Sequence, residues 1–303
     1  MHSGNSPTQI KPASPTAVVR EWAEMIKFEH SVFALPFALS GLILASPANS
    51  LPAAATIFFT ILAFVGARSA AMTLNRVIDS RIDAANPRTK DRAIPAGRIK
   101  PGIAMIFAVV AFGVMLFAAS KLPPICLQLS PIAVVWLSFY SFTKRFTWLC
   151  HLVLGIALGG AALGGWVAAG GTLGGAAPWL LALAVSTWVA GFDVIYACQD
   201  YKFDTAEKVF SIPARFGIGP GLLISRGLHV VTVAALIGLG LSLHLGLFYW
   251  LGFTAVAAML TYEHSLVKAD DLSKLNAAFF NVNGFVSIAC FFAILIDHIL
   301  KVH

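Results

Sequence analysis

Three oxygen-bearing side chains, Asn75, Asp79 and Asp83, follow one another at four-residue intervals after a long apolar run. In a helix, four residues advance a side chain by about 40° beyond one full turn and by about 6 Å along the axis. The spacing therefore predicts that all three lie on one helical face. Amide and carboxylate oxygens are the ligands that hard divalent cations prefer, so this face is a candidate metal site.

A second acidic set lies much further along the chain. Asp193, Asp200 and Asp204 occupy positions i, i+7 and i+11, and Tyr196 lies between the first two. These offsets fall within about 20° of whole helical turns, so they also predict one acidic face. Two such faces opposite each other repel unless a cation lies between them. Mg²⁺ usually binds carboxylates together with phosphate oxygens, so the pattern predicts magnesium and a phosphorylated ligand.

Basic side chains flank both acidic sets. They are Arg76, Arg81, Arg88, Lys90 and Arg92 around the first set and Lys202, Lys208 and Arg215 around the second. Such side chains are suited to bind the oxygens of a diphosphate. Lys144 and Arg145, in a separate short connection, either anchor a helix end or pair with an anionic group of a substrate. The alternative for the whole pattern is a basic surface on which the aspartates form ordinary salt bridges.

Membrane-spanning helices are the elements predicted to position these residues. The chain has 303 residues, of which 58% are hydrophobic, and a mean hydropathy of +0.81. Its apolar runs are long enough to cross about 30 Å of hydrocarbon as helices of about 20 residues, and they lack the alternation of a β-barrel. We therefore predict an all-α integral membrane protein with about nine transmembrane helices. The predicted spans are 29–47, 53–78, 102–120, 125–142, 150–169, 178–198, 219–240, 243–266 and 276–297.

The distribution of lysine and arginine predicts the orientation. Of the 21 Lys and Arg residues, all except Arg68, Lys121 and Lys301 fall on one side of the predicted topology. Basic loops stay in the cytoplasm, so the charged loops 79–101 and 199–218 are placed on the cytoplasmic face of the inner membrane. Residues 1–26 are predicted to form a short cytoplasmic tail, and residues 27–303 a single transmembrane domain. The net charge of +7 follows from this asymmetry, so membrane lipid is expected as a partner and nucleic acid is not.

Several other residues are interpreted as packing residues. His30, His151, His229 and His244 occur singly, and the four cysteines form no paired motif, so neither type is expected to bind metal. The pairs Gly155/Gly159 and Gly160/Gly164 have the four-residue spacing that is typical of closely packed membrane helices.

The sequence around both acidic sets resembles a known family. The segments "NRVIDSRIDAANPRTKDRAIPAG" and "DVIYACQDYKFDTAEKVFSIPARFG" are similar to the two aspartate-rich motifs of the UbiA family of membrane prenyltransferases. Between them, "YSFTKRFTWL" resembles the connector of 4-hydroxybenzoate polyprenyltransferases. The resemblance covers residues 20–298. It implies a helical bundle with a cytoplasm-facing cavity, in which an isoprenoid chain passes from its diphosphate to an acceptor.

The resemblance also implies a role for each site residue. Asn75, Asp79 and Asp83 would hold one Mg²⁺, and Asp200 and Asp204 a second, with the polyprenyl diphosphate between them. The cations that would bind the diphosphate or the acceptor are Arg88, Lys90, Arg92, Lys144, Arg145 and Lys208. Asp193 and Tyr196 would lie deeper, near the reacting carbon, where Asp193 helps to remove a proton from the acceptor. Arg145 is the expected partner of an acceptor carboxylate.

The acceptor is left open between two aromatic hydroxy-carboxylates of quinone biosynthesis. The segment "IKFEHSVFALPFALSG" departs from the opening motif of ubiquinone-type enzymes and resembles the 4-hydroxybenzoate polyprenyltransferase-like branch, some members of which prenylate a dihydroxynaphthoate for menaquinone. Within the family, haem, chlorophyll and ether-lipid synthases use the same chemistry on other acceptors. An ion or metabolite transporter is the alternative from another class, although its acidic residues would be expected near the membrane midplane.

Overall fold

The computed structural model describes residues 15–26 and 33–300, and every regular element in these ranges is a helix. The helices of the first half are α1 (Pro15–Met25), α2 (Leu35–Leu44), α3 (Ala54–Ile78), α4 (Ser80–Ala85), α5 (Pro101–Ala119), α6 (Pro124–Phe139) and α7 (Cys150–Ala168). Those of the second half are α8 (Ala176–Ala197), α9 (Tyr201–Ala206), α10 (Ile212–Phe216), α11 (Ile218–Ser242), α12 (Leu247–Leu266) and α13 (Asn283–Leu300). The prediction of an all-α fold is confirmed.

Three of these helices adjoin a segment of another helix type. A 3₁₀ segment, Tyr140–Arg145, continues α6, and another, Cys198–Asp200, continues α8 into α9. A π-helical segment, Ala277–Val282, leads into α13.

Seven helices of the described ranges are long and apolar enough to cross a membrane. Each of the nine predicted spans contains a helix, but α2 and α12 are not among these seven. Helix α2 has ten residues, and its predicted span begins at residues 29–32, which lie outside the described ranges. Helix α12 has 20 residues but is less apolar because polar side chains crowd its last turns. The chain is thus a multi-pass membrane protein, and the count of nine stays a prediction.

Small residues bring the helices of the bundle close together. A Cβ at Gly155 would collide with the carbonyl oxygen of Ser186 on α8, and one at Gly159 would lie 2.6 Å from the carbonyl oxygen of Ala182. The packing predicted for this pair is confirmed. It is wrong for Gly160 and Gly164, because no atom of another described helix would lie within 4 Å of an added Cβ there. Helix α8 is the most buried of the seven spanning helices, and it carries Asp193 and Tyr196.

Helix α1 packs against the base of the first charged loop. The indole of Trp22 stacks on Phe107 with ring centroids 5.1 Å apart, and its Nε1 donates a hydrogen bond to Thr73 Oγ1 at 2.9 Å. Met25 belongs to a small apolar cluster that includes Ile94 and Ile99 of the loop. The part of the predicted tail that is described therefore supports residues 86–100, whereas residues 1–14 lie outside the described ranges.

Candidate functional site

The first acidic set lies where α3 passes into α4. Hydrogen bonds from the Asp79 amide to the Asn75 carbonyl (2.9 Å) and from the Asp83 amide to the Asp79 carbonyl (2.8 Å) keep the helical register. Asn75 Nδ2 also donates to Asp79 Oδ2 at 2.8 Å. Asp83 has a different partner, because Arg92 Nη1 lies 2.8 and 2.9 Å from its two carboxylate oxygens. The helical register behind the predicted face is present, with Asn75 bound to Asp79 and Asp83 bound to Arg92.

Asp79 is the most enclosed carboxylate of the site. It is 1% exposed, and the connector contributes two cations, Lys144 Nζ at 2.7 Å from Oδ2 and Arg145 Nη1 at 3.0 Å from Oδ1. Arg145 also donates to the carbonyl oxygens of Ser141 and Ile78, at 2.8 and 2.7 Å. Because two carbonyl oxygens accept hydrogen bonds from this guanidinium and Asp79 forms an ion pair with it, its positive charge is held in place. Asp79 Oδ1 itself has no hydrogen bond among the described residues.

Arg88 joins the two charged loops. Its Nε donates to Asp200 Oδ1 at 2.9 Å, its Nη2 donates to Oδ2 of the same carboxylate, and its Nη1 donates to the Tyr196 hydroxyl at 3.2 Å. Asn86 Nδ2 donates to Asp200 Oδ1 at 3.1 Å. Partial burial lowers the pKa of Arg88. The hydrogen bonds to Asp200 and the negative charge of Asp200 outweigh this effect, so the pKa of Arg88 is raised. The predicted proximity of the two loops is therefore seen in direct contacts.

The second acidic set spans a change of helix type. A 3₁₀ turn at Cys198–Asp200 separates α8 from α9, and each of its carboxylates has a different partner. Asp204 is 8% exposed and accepts a hydrogen bond from Ser211 Oγ at 2.9 Å. Ser211 also caps α10 by accepting from the Ala214 amide. The uniform helix assumed for the spacing thus fails at the tighter turn.

Asp193 lies against a histidine that was interpreted as a packing residue. His151 Nδ1 is 2.7 Å from Asp193 Oδ2, and the Ile212 amide donates to His151 Nε2 at 3.2 Å. A nitrogen that accepts a hydrogen bond carries no proton, so the proton of the neutral ring is on Nδ1 and is donated to Asp193. His151 is buried, as a packing residue would be, but it also binds a predicted site residue. Its partner is 42 residues away, and no spacing signal could have revealed the pair.

Tyr196 and the apolar residues beneath it form an aromatic wall. The Tyr196 ring lies 4.1 Å from that of Phe279, and the Arg88 guanidinium lies 5.4 Å from the Tyr196 centroid. Phe192 is 5.4 Å from Phe279 and 4.9 Å from Trp188. We call Trp188, Phe192, Tyr196, Phe279 and Phe280 the aromatic wall. It begins directly below the Arg88–Asp200 pair and runs into the bundle.

The predicted cations divide into two groups. Arg88, Arg92, Lys144 and Arg145 each pair with one of the predicted metal-binding carboxylates. Lys90 and Lys208 are exposed and form no ion pair with the rest of the described chain. Lys208 has a φ of 53° and follows the C-cap of α9, where the Val209 amide bonds the Asp204 carbonyl, as in a helix-terminating Schellman turn. Ser211, Asn86 and His151 are further polar partners of these carboxylates, and the spacing of the acidic residues does not reveal them.

The oxygen ligands that the site offers are of the kind that a hard divalent cation prefers. They are carboxylate and amide oxygens, and Asp79 Oδ1 is buried without a hydrogen bond among the described residues. Within residues 15–26 and 33–300, however, no three His, Cys, Asp or Glu side chains converge on one point. Asp79, Asp83 and Asp200 pair instead with Lys144, Arg145, Arg92 and Arg88.

Comparison with known proteins identifies the class to which this fold and site belong. Residues 34–287 match the UbiA prenyltransferase family. The 4-hydroxybenzoate octaprenyltransferase of Pseudomonas entomophila (strain L48) is 30% identical over 261 residues, which cover 84% of each chain. The enzyme of the same name from Vibrio cholerae serotype O1 (strain M66-2) is 30% identical over 250 residues, covering 82% of this chain and 87% of that one. This multi-pass membrane protein therefore belongs to the UbiA prenyltransferase family.

Solved structures share the same fold. A UbiA homologue from Aeropyrum pernix K1 superposes with a TM-score of 0.81 at 33% identity, covering 89% of this chain and 98% of that one. A UbiA homologue from Archaeoglobus fulgidus, bound to GPP and Mg²⁺, has a TM-score of 0.66 at 16% identity, covering 91% and 99% of the two chains. At that identity the likeness concerns the fold alone.

Proposed function

We propose that this protein transfers a polyprenyl chain from polyprenyl diphosphate to an aromatic hydroxy-carboxylate, with 4-hydroxybenzoate as the first candidate acceptor. The observation that carries the proposal is the pairing of Asp79, Asp83 and Asp200 with Lys and Arg side chains where the two loops meet, above an aromatic wall. The names of the bacterial relatives support the acceptor. The site would face the cytoplasm, because the charged loops carry nearly all of the basic residues.

The ion pairs suggest how the site receives a magnesium diphosphate. Asn75, Asp79 and Asp83 would hold one Mg²⁺, and Asp200 and Asp204 a second, which would supply positive charge to the leaving group. The cations released from these carboxylates would then turn to the phosphate oxygens. Asp79, Asp83 and Asp200 would each exchange basic side chains for the metal, so their charges would stay compensated throughout. Lys90 and Lys208, which are exposed, would extend this positive surface toward the incoming diphosphate.

The chemistry that these residues support is an electrophilic substitution. Arg88, Arg92 and Lys144 stabilise the charge that develops on the diphosphate as the allylic C–O bond breaks and its electron pair leaves with the oxygen. The π faces of Tyr196 and Phe279 stabilise the allylic cation. A ring carbon ortho to the phenol of the acceptor forms the new C–C bond, and the proton lost from that carbon passes to Asp193. His151 holds Asp193 in position for this step, and Arg145 is the candidate partner of the acceptor carboxylate.

A transporter is the weaker alternative. The carboxylates lie at helix ends among basic side chains, and Asp79, Asp83 and Asp200 are each bound to an Arg or Lys. An ion path would need acidic side chains that are free to exchange ions deep in the membrane. The arrangement at the loops is better suited to holding a phosphorylated substrate in place.

An assay with two acceptors tests the proposal. Purified protein in detergent, supplied with Mg²⁺ and geranyl or octaprenyl diphosphate, is offered 4-hydroxybenzoate or 1,4-dihydroxy-6-naphthoate, and products are detected by mass spectrometry. We expect a prenylated product, its loss with EDTA, and a loss of at least about 100-fold in Asp200→Asn. The matched control is Asp91→Asn, an exposed aspartate of the first loop, which should retain activity. Product from the naphthoate alone would move the acceptor assignment to that compound, and no product from either would refute the proposal.

A further inference from the structure

The π-helical segment Ala277–Val282 forms part of the aromatic wall. In a π-helix, hydrogen bonds span five residues, and such short segments inside α-helices are rare and frequent at functional sites. This one carries Phe279 and Phe280, whose ring centroids lie 4.1 and 6.4 Å from that of Tyr196. Tyr196 also forms a hydrogen bond with Arg88. The geometry of the segment therefore sets the position of the aromatic rings next to the proposed diphosphate site.

The side chain of Asn283 connects this segment to two other helices. Its Nδ2 lies 3.2 Å from the carbonyl oxygens of both Ala278 and Phe279, and 2.6 Å from Glu263 Oε1 on α12. Its Oδ1 accepts a hydrogen bond from Trp188 Nε1 on α8 at 2.8 Å. Asn283 is fully buried. One amide thus binds the carbonyls of the wide turn and also fixes an indole of the aromatic wall.

Glu263 holds that amide from the opposite side. It is fully buried, and its Oε2 makes no hydrogen bond within the described chain. The nearest charged or titratable neighbour is His229, whose Nδ1 is 3.5 Å from Glu263 Oε2 and 3.0 Å from His264 Nε2. His229 Nε2 donates to the Trp188 carbonyl at 3.2 Å. A buried acid is costly in an apolar bundle, and none of the steps proposed above uses this one.

We infer that Glu263 and Asn283 are positioning residues that set the aromatic wall against the allylic carbon of the substrate. Glu263 orients the Asn283 amide, and the amide fixes Phe279 through the π-helical turn and Trp188 through its indole N–H. Loss of this support lets the rings move away from Tyr196. A cation that is less well enclosed is captured by water more often, which gives prenyl alcohol in place of the prenylated acceptor. The inference rests on the proposed function.

A purely structural role would have a different consequence. Loss of stability reduces the amount of folded protein, which lowers the rate of both products equally and leaves their ratio unchanged. Displacement of the wall changes the ratio in the molecules that remain folded. The fraction of diphosphate that ends as prenyl alcohol is therefore the measurement that separates the two roles.

The test compares four variants with the wild-type protein. Asn283→Leu and Glu263→Leu should lower kcat about tenfold or more, change the KM for the allylic diphosphate little, and raise the prenyl alcohol fraction. Glu263→Gln should stay near wild type, because its amide oxygen accepts from Asn283 and its amide nitrogen donates to His229. The control Thr232→Val breaks another buried hydrogen bond, to Thr187 at 2.8 Å, which involves no side chain of the wall, and should leave the product ratio unchanged.

The outcomes are distinct. A raised prenyl alcohol fraction in both leucine variants, with recovery in Glu263→Gln, supports the inference, whereas a wild-type ratio in folded Asn283→Leu overturns it. If the leucine variants do not fold, Trp188→Phe removes the indole N–H that binds Asn283 and leaves a smaller aromatic ring, and a wild-type ratio there also overturns the inference. Wild-type protein that consumes no diphosphate overturns the proposed function and the inference together. Active wild-type protein with unaffected variants overturns the inference alone.

Discussion

Replacement of His151 by alanine is the most direct test of how Asp193 is held. The change removes the ring N–H that lies 2.7 Å from the Asp193 carboxylate, and it removes the acceptor for the Ile212 amide. Hydrogen bonds to a charged group contribute about 1.5–3 kcal/mol. If that interaction orients Asp193 for proton removal, kcat falls about 10- to 150-fold, because each 1.4 kcal/mol corresponds to about a factor of ten.

The same substitution also lowers stability. Ile212 is 1% exposed, so its amide would lose its hydrogen-bond partner inside the protein, at a cost of about 1–3 kcal/mol. Thermal unfolding in detergent measures this loss separately from the kinetics. Initial rates at saturating diphosphate and varied acceptor then report kcat and KM for the protein that remains folded.

His151→Gln separates a neutral hydrogen-bonding role from a charged one. The glutamine amide presents a donor and an acceptor side by side, as the neutral imidazole does, so it should bond both Asp193 and the Ile212 amide and restore kcat to within a few-fold of wild type. Wild-type kcat in His151→Ala would refute the role of His151. Equal losses in the Gln and Ala variants would refute the assignment of a neutral ring.

Three further outcomes are expected. Arg88→Lys keeps the charge, but a lysine cannot bind Asp200 and Tyr196 together, so kcat/KM for the diphosphate should fall about tenfold or more. The control is Arg98→Lys, at a surface ion pair with Glu21. It should match wild type in the same initial-rate assay. Gly155→Ala should destabilise the protein by about 1–3 kcal/mol because its Cβ meets the α8 backbone, whereas Gly160→Ala should not lower the thermal midpoint because its Cβ meets no other helix. Asp79→Asn should raise the Mg²⁺ concentration for half-maximal rate, and an unchanged magnesium titration would contradict its role as a ligand.

Features that depend on neighbouring residues could be read from the sequence. The four-residue spacing of Asn75, Asp79 and Asp83 is a property of one helix, and its register persists in the structure. The second set shows the limit of this reasoning, because the 3₁₀ turn at Cys198–Asp200 changes the angle per residue. Nothing in the local spacing of Asp193, Asp200 and Asp204 indicated that the helix would tighten there.

The contacts that build the site could not be read in the same way. Arg88 and Asp200 are 112 residues apart, and Trp188 and Asn283 are 95 apart. Their pairing depends on how α8, α13 and the loops pack. The same applies to the glycines. Gly155 and Gly160 both belong to pairs with four-residue spacing, but the position of α8 decides that only Gly155 packs against it.

The sequence by itself thus determined that the chain is helical, that it lies in a membrane, and that acidic and basic side chains gather in two loops, because hydropathy, charge and helical period are local properties. Only the tertiary structure decided which carboxylate pairs with which cation, that His151 binds Asp193, and that Glu263 and Asn283 hold the aromatic wall. These choices depend on burial and on distances between helices that are remote in the chain. Polar groups in an apolar bundle must find partners wherever packing brings them.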